Sequence, residues 1–219
     1  MMRRAFISVL AFAALGLAMP HACAAQSGQV VDRIVARIEG EILTLSEVRE
    51  LGRYQQLMQG ASEPQEKLLD RLIDHWMIAR EATSGRFPRP KSEEVDREIA
   101  RLTAEAGGEE AFRARLLELS LEEAAVRRLI ESQMFLSRYL DYRFRPAVQV
   151  EPEQIETYYR DQLTPQLRAR GETVPPLESV AERIRELLTQ QEIDSRAGRW
   201  LADARAQLRV EKMLEGGRR

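Results

Sequence analysis

Segments with the pattern of β-strands occur at two places in this 219-residue chain, one near each end, and the first of them is rich in β-branched residues. Residues 30–44 alternate apolar and polar side chains around Gly40, which predicts a hairpin that turns at Glu39 and Gly40 and buries one face. Residues 208–214 alternate in the same way. Because two strands alone are marginally stable in water, the pattern predicts a small sheet in which the C-terminal strand joins the N-terminal hairpin.

The sequence between these two segments has helical periodicity almost throughout. Capping boxes formed by Ser62 with Gln65 and by Ser120 with Glu123 mark two of the helix starts, and Ser46 is positioned to cap another. The predicted helices cover residues 46–59, 63–84, 92–107, a short segment around 112–117, 121–144, 152–163 and 177–207. We therefore predict a mainly α fold with a small β-sheet formed by an N-terminal hairpin and a C-terminal strand.

The first residues have the layout of a secretory signal peptide. Arg3 and Arg4 precede an apolar run over residues 5–18, and small residues follow it up to Ala25. The run is shorter than the roughly 20 apolar residues that span a bilayer. We predict a signal peptide over residues 1–24, cleaved near Ala24, and a periplasmic mature protein that carries no membrane span. An uncleaved anchor and a lipoprotein acylated at Cys23 remain alternatives.

The mature chain divides into three predicted parts. Residues 25–163 form a helical domain, and residues 164–176 are polar, contain Gly171 and the pair Pro175–Pro176, and are predicted to be a linker. Residues 177–219 supply a C-terminal helix and strand that pack back on the first part. The first half of that helix has its apolar stripe on one face and the second half on nearly the opposite face. The helix therefore kinks, with Gly198 as a candidate position, or contacts two different bodies.

Composition and motif searches exclude several classes of function. A formal net charge of −2 without a segregated basic patch argues against nucleic-acid binding. One cysteine and two histidines cannot supply the four close ligands of a zinc site, and no catalytic or cofactor-binding signature is present. His75 lies in the middle of a predicted helix, where a structural role is expected. We predict no catalytic residue, no cofactor and no metal.

The long helix over residues 121–144 is apolar on two sides. One side carries the expected core stripe, and Phe135, Tyr139 and Tyr142 lie near the opposite side. Such a helix is either enclosed within the protein, here against the C-terminal helix, or offers one side to a partner. We take Phe135, Tyr139 and Tyr142 as a candidate binding surface, with Trp200 of the last helix as its wall.

The order of four segments resembles the SurA family of periplasmic chaperones. Residues 30–48 (VVDRIVARIEGEILTLSEV) are similar to the strand, turn, strand and helix that open that family, and residues 68–74 (LLDRLID) to its second helix. Residues 91–96 (KSEEVD) look like the start of its third helix. Residues 200–205 (WLADAR), followed by Val210, look like its C-terminal helix and strand. The resemblance covers nearly the whole mature chain.

Two departures from the family pattern shape what the resemblance implies. Glu39 stands where the family has a turn asparagine, although Gly40 still supplies the positive φ that the turn needs. The parvulin-type prolyl isomerase domains of the family are absent, and only residues 164–176 stand in their place. The resemblance implies a SurA N-terminal-like domain that acts as a holdase for unfolded exported polypeptides, outer-membrane proteins among them, without isomerase activity.

Two alternative functions remain open at this point. The same helices could form a structural or adaptor protein that docks one folded partner of the cell envelope. A prolyl isomerase with an unrecognised site is a further alternative. If the chain is a chaperone, the surface of Phe135, Tyr139, Tyr142 and Trp200 is the predicted client-binding site. Client identity and oligomeric state are not predicted.

Overall fold

The computed structural model describes residues 32–213, so the predicted signal peptide and Cys23 lie outside the described residues. The strands are β1 (Ile34–Ile38), β2 (Glu41–Thr44) and β3 (Val210–Lys212). The helices are α1 (Leu45–Gln59), α2 (Gln65–Ser84), α3 (Ser92–Glu105), α4 (Glu109–Glu118), α5 (Glu123–Phe144), α6 (Pro152–Tyr158), α7 (Thr164–Ala169) and α8 (Leu177–Gln207). The predicted fold class, mainly α with a small β-sheet, is confirmed.

The sheet joins the two ends of the described chain. Its strand order is β2-β1-β3, and β1 is antiparallel to both neighbours. Ile38 lies opposite Val210, which confirms that the C-terminal strand joins the N-terminal hairpin. A bulge between Ile34 and Ala36 interrupts the alternation of β1, and as a result the adjacent residues Val35 and Ala36 are both buried.

Three predicted helix starts are displaced, because the serines predicted to cap them adopt other contacts or conformations. The cap of α1 is Thr44, whose backbone N–H donates to the Glu47 carboxylate at 2.7 Å, and Ser46 instead binds Asp32. Helix α2 begins after Pro64, while the Ser62 hydroxyl donates to a neighbouring backbone carbonyl. Ser120 has φ of 51°, a turn conformation, and α5 begins three residues later.

The main hydrophobic core lies between the inner face of the sheet and helices α1, α2, α3 and α5. Its fully buried side chains are Val35, Ile38, Val48, Leu69, Ile73, Val95, Val126 and Ile130. The Tyr54 hydroxyl, which is enclosed in this core, donates a hydrogen bond to the side-chain oxygen of Gln133 at 2.7 Å. This bond joins α1 to α5 and satisfies the one polar atom of a buried ring.

A separate small cluster is built from α6, the π-helical turn Tyr159–Leu163 that follows it, and the first half of α8. Ile155, Val180 and Ile184 are buried in it, and Tyr159 packs at its edge. Residues 164–169 of the predicted linker are helical, since a π-helical turn over Tyr159–Leu163 runs directly into α7. The Tyr159 hydroxyl also donates to the carbonyl of Pro175 at 2.7 Å, which fixes the irregular residues 170–176 against this cluster.

Helix α8 runs without interruption past Gly198 and contacts two bodies along its length. Its first half completes the small cluster, and in its second half Leu201 and Ala204 pack on the main core. The Arg205 guanidinium donates to Asp70 at 3.1 Å and to Asp74 at 2.7 Å on α2. The two opposed stripes thus have separate partners, which is the second of the two predicted alternatives.

Candidate functional site

The aromatic side of α5 is largely enclosed within the protein. Phe135 and Tyr139 are 2% and 6% exposed and pack with Ile78 and Ala82 of α2. The ring of Phe87, in the segment after α2, covers them, with centroid distances of 5.9 Å to Phe135 and 5.4 Å to Tyr139. The prediction that Phe135 and Tyr139 offer an accessible surface is corrected here, because both rings are already occupied by contacts within the chain.

Tyr142 and Trp200 lie at the edge of the same cluster, Tyr142 against Phe87 and Trp200 packed against the buried residues. Tyr142 is 68% exposed and lies 5.3 Å from the Phe87 ring. Trp200 is half-buried and contacts the Phe144 ring at 6.0 Å and the Arg143 guanidinium at 4.8 Å. The four predicted residues therefore lie close together but do not form one accessible surface, and of the four only Tyr142 presents most of its ring to solvent.

A larger apolar depression, which we call the front groove, lies between α3, α4 and the start of α5. It encloses about 680 Å³. Its floor is formed by Ile99, Phe112 and Val126, and its walls include the exposed alanines Ala100, Ala104 and Ala124. This volume is within the range of about 300–1,000 Å³ that is typical of ligand-binding sites. The groove can therefore receive large apolar side chains of a partner.

The rim of the front groove consists of charged residues that neutralise one another. Arg127 donates to Asp96 at 2.5 Å and to the Ser92 hydroxyl at 2.8 Å. Arg113 donates to Glu109 at 2.5 Å and lies 3.6 Å from Glu123. Since these charges are paired across the rim, the groove combines an apolar floor with a nearly neutral edge, which favours apolar partners over strongly charged ones.

A second depression, which we call the rear groove, lies on the other side of α4. It encloses about 460 Å³, and apolar side chains of α1, α3 and α4 line it, with charged groups at its edge. Its lining is Leu57, Met58, Leu102, Ala111 and Phe112, with Arg101, Glu105, Ala106 and Arg115. Phe112 lines both grooves, so this one ring separates them.

The sequence analysis missed both grooves, although one signal for the front groove was present. Ala100 and Ala104 lie one turn apart on α3, beside its apolar stripe, and they leave space where larger side chains would close the surface. Nothing in the sequence indicates how far α4 lies from α5, and that separation determines the groove volume. The signal was therefore not sufficient to predict a groove.

The perturbed ionisable groups have structural causes. Hydrogen bonds from Arg71 and from Arg138 lower the pKa values of Glu63 and Glu94, respectively, to about 2. Burial lowers the pKa of His75 to about 4. Among residues 32–213, no cluster of three or more His, Cys, Asp or Glu side chains is arranged to hold a metal ion. In the same part of the chain, no helix is both long and apolar enough to cross a bilayer.

Comparison with known proteins returns no match that could name a family. No family model matches the chain, and no curated protein matches it significantly. The SurA resemblance therefore rests on the segments of the sequence given above.

Proposed function

We propose that this protein is a periplasmic holdase chaperone that binds unfolded exported polypeptides, outer-membrane proteins among them, and has no isomerase activity. The observation that carries the proposal is the front groove, an open apolar depression with a neutral rim. Such a surface recognises apolar side chains without reading a particular sequence, which is what a chaperone with many clients requires.

The expected strength of binding agrees with this role. Burying one large apolar side chain of a client contributes about 1.5–3 kcal/mol, whereas association costs about 4–15 kcal/mol in lost freedom. The front groove has room for only a few such side chains. Binding through it is therefore expected to be weak and rapidly reversible, so that a client is held in solution and released without an energy source.

The sequence adds two further lines of support. Residues 1–24 have the layout of a signal peptide, and the order of segments in the mature chain resembles the SurA family. The polar residues 164–176, which stand where that family carries its isomerase domains, are too few to hold one. Intact-mass measurement of periplasmic material should give a mature chain that begins near Ala25, and a mature form that retains Cys23 would contradict the export proposal.

Suppression of aggregation tests the proposal directly. A urea-unfolded outer-membrane β-barrel protein is diluted into buffer, and light scattering is followed with and without the chaperone. The variants Ala100→Glu and Ala124→Glu each place a carboxylate in the front groove. Ala114→Glu is the matched control, because Ala114 is exposed on α4 and lines neither groove.

We expect each groove variant to need about tenfold more protein than the control for the same suppression, since a buried carboxylate opposes apolar contacts. All three substitutions are at exposed positions, so the melting temperatures should agree within a few degrees. Equal suppression by all variants would contradict the front groove as the client site. If the wild-type protein suppresses no aggregation but retains one folded envelope protein tightly, the adaptor alternative is correct.

Isomerase activity needs a separate measurement. In a protease-coupled assay on a proline-containing peptide, we expect no rate enhancement over heat-treated protein. An enhancement would show that the chain carries an isomerase site that the sequence does not reveal.

A further inference from the structure

Helix α4 is lightly attached to the rest of the protein. Phe112 and Leu116 are the two buried residues among its ten. The front groove follows one side of the helix and the rear groove follows the other, so that α4 is bordered by open space along both of its flanks. Within the helix itself, the packing that holds α4 in place therefore depends mainly on these two side chains, and Leu119 and Leu121 after the helix are buried in the same core.

The turn before α4 consists of two glycines whose backbone can absorb a hinge movement, and the turn after it is anchored by Leu119 and Leu121, which are buried in the main core. Gly107 and Gly108 precede the helix with φ of 95° and 107°, a region that glycine adopts without strain. An added Cβ at Gly108 would meet nothing within 4 Å, so close packing does not constrain this residue. Ser120, in the turn after the helix, has φ of 51°. Hinges commonly consist of a few such residues at the ends of elements.

The polar contacts of α4 are mostly internal. Arg113 pairs with Glu109 at 2.5 Å and Arg115 with Glu118 at 2.6 Å, and all four residues belong to α4. Within residues 32–213, the one ion pair from α4 to another helix is Arg113 with Glu123 at 3.6 Å. Both partners of that pair are well exposed, and exposed pairs restrain a helix only weakly.

We propose that α4 is a gate. It swings outward on the turns at residues 107–108 and 119–122 and thereby joins the front and rear grooves into one cleft between α1, α3 and α5. An unfolded client segment then occupies the space that Phe112 and Leu116 leave. This proposal deepens the proposed function and rests on it.

The chemistry of the occupant follows from what fills the cleft in the closed state. Phe112 and Leu116 are four residues apart and project from the same face of α4 into the core. A client segment with two large apolar side chains one helical turn apart can replace them. The gate therefore selects segments that can present such a pair, and it leaves the cleft closed when no client is present.

Thiol labelling tests whether α4 opens. Because Cys23 is the single cysteine of the chain, a Cys23→Ser background allows one engineered thiol to be followed. Leu116→Cys places it under α4, and Leu136→Cys on α5 is the matched control, since Leu116 and Leu136 are 4% and 5% exposed. Each labelling rate is measured without denaturant and at low urea, and is compared with the unfolding free energy of the same variant.

We expect the thiol at position 116 to react at least about tenfold faster than global unfolding allows. Low urea should leave this rate unchanged, because local opening of α4 exposes little additional surface. The thiol at position 136 should react only at the rate set by global unfolding. If both thiols follow global unfolding, α4 does not open and the gate is refuted.

Tethering α4 tests whether opening is needed for client binding. In the same background, Arg113→Cys with Glu123→Cys is joined by a bis-methanethiosulfonate crosslinker, which dithiothreitol removes. The control is the same double variant capped by two copies of a monofunctional methanethiosulfonate of similar length, which fills the rim but leaves α4 free. The assay is suppression of aggregation of the urea-unfolded β-barrel protein.

We expect the tethered protein to lose about tenfold in suppression, the capped protein to keep it, and reduction to restore it. If the tethered and capped proteins suppress aggregation equally well, the gate is refuted and the holdase activity stands. If both lose suppression equally, the gate is also refuted, because filling the rim of the front groove is then sufficient to block clients without any restraint on α4. If the wild-type protein also fails to suppress, the proposed function is wrong, and the client role of the gate fails with it.

Discussion

Replacing Phe135 by Ala should destabilise the protein strongly, whereas replacing Tyr142 by Ala should not. Both rings lie on the same helix, and both contact Phe87. Phe135 is 2% exposed and Tyr142 is 68% exposed. The pair therefore compares a buried and an exposed aromatic ring within one local structure, and it separates a packing role from a binding role.

The expected magnitudes follow from burial. Removing a buried phenylalanine ring costs about 3–5 kcal/mol, and for a chain of this size each kcal/mol lowers the melting temperature by about 2–4 °C. Phe135→Ala should therefore lower the melting temperature by about 6–20 °C. Tyr142→Ala removes mainly one aromatic contact, worth about 0.5–1.5 kcal/mol, and should lower it by about 1–6 °C.

Urea unfolding followed by circular dichroism gives both free energies, and the aggregation assay is then run on whichever variant remains folded. A stability loss below about 1 kcal/mol for Phe135→Ala would refute the burial argument and would return Phe135 to the candidate client surface. A selective loss of aggregation suppression in Tyr142→Ala, at unchanged stability, would add this exposed ring to the client-binding site.

Two further predictions concern the ion pairs and the single histidine of the described chain. Arg205→Ala should lower the unfolding free energy by about 1–2 kcal/mol, because it removes charge-assisted hydrogen bonds to Asp70 and Asp74, whereas Arg209→Ala should change it little; urea unfolding measures both. Because burial lowers the pKa of His75 from 6.5 to about 4, the unfolded chain binds a proton before the folded chain does as the pH falls. The unfolding free energy should therefore decrease between about pH 6.5 and 4, and His75→Gln should flatten that decrease; an unchanged pH profile in this variant would contradict it. Burial raises the pKa of Asp74, so protonation of Asp74 stabilises the folded chain as the pH falls. This contribution is the same in the wild-type protein and in His75→Gln.

The elements with strong local patterns were predictable from the sequence. The alternation in residues 208–214 predicted the strand that pairs with β1, and the helix over residues 177–207 has the predicted bounds. The helix caps at Ser62 and Ser120 were not predictable in this way. A capping box is a local pattern, but the conformation of Ser120 is imposed by the turn between α4 and α5, and Pro64 sets the start of α2.

The candidate site was harder to predict because it depends on what lies opposite each helix face. Helical spacing correctly places Phe135, Tyr139 and Tyr142 near one side of α5. It does not show that Phe87, in a segment without periodicity, covers two of the three rings. The front groove could not be predicted for the same reason. Its volume depends on the separation of three helices and not on the pattern within any one of them.

Stability and the proposed client binding depend largely on different parts of this architecture. The sheet, α2, α5 and the second half of α8 share a continuous core, which the contacts of Arg205 with α2 reinforce. The walls of the front groove include exposed alanines, and α4 contributes Phe112 and Leu116 as its buried side chains. A substitution such as Ala100→Glu can therefore change binding without loss of the fold, whereas Phe135→Ala changes the fold before any change in binding can be measured. The wall alanines of the groove are not core residues, so stability and aggregation suppression should vary independently across these variants, whereas the floor residues Phe112 and Val126 belong to both the groove and the core.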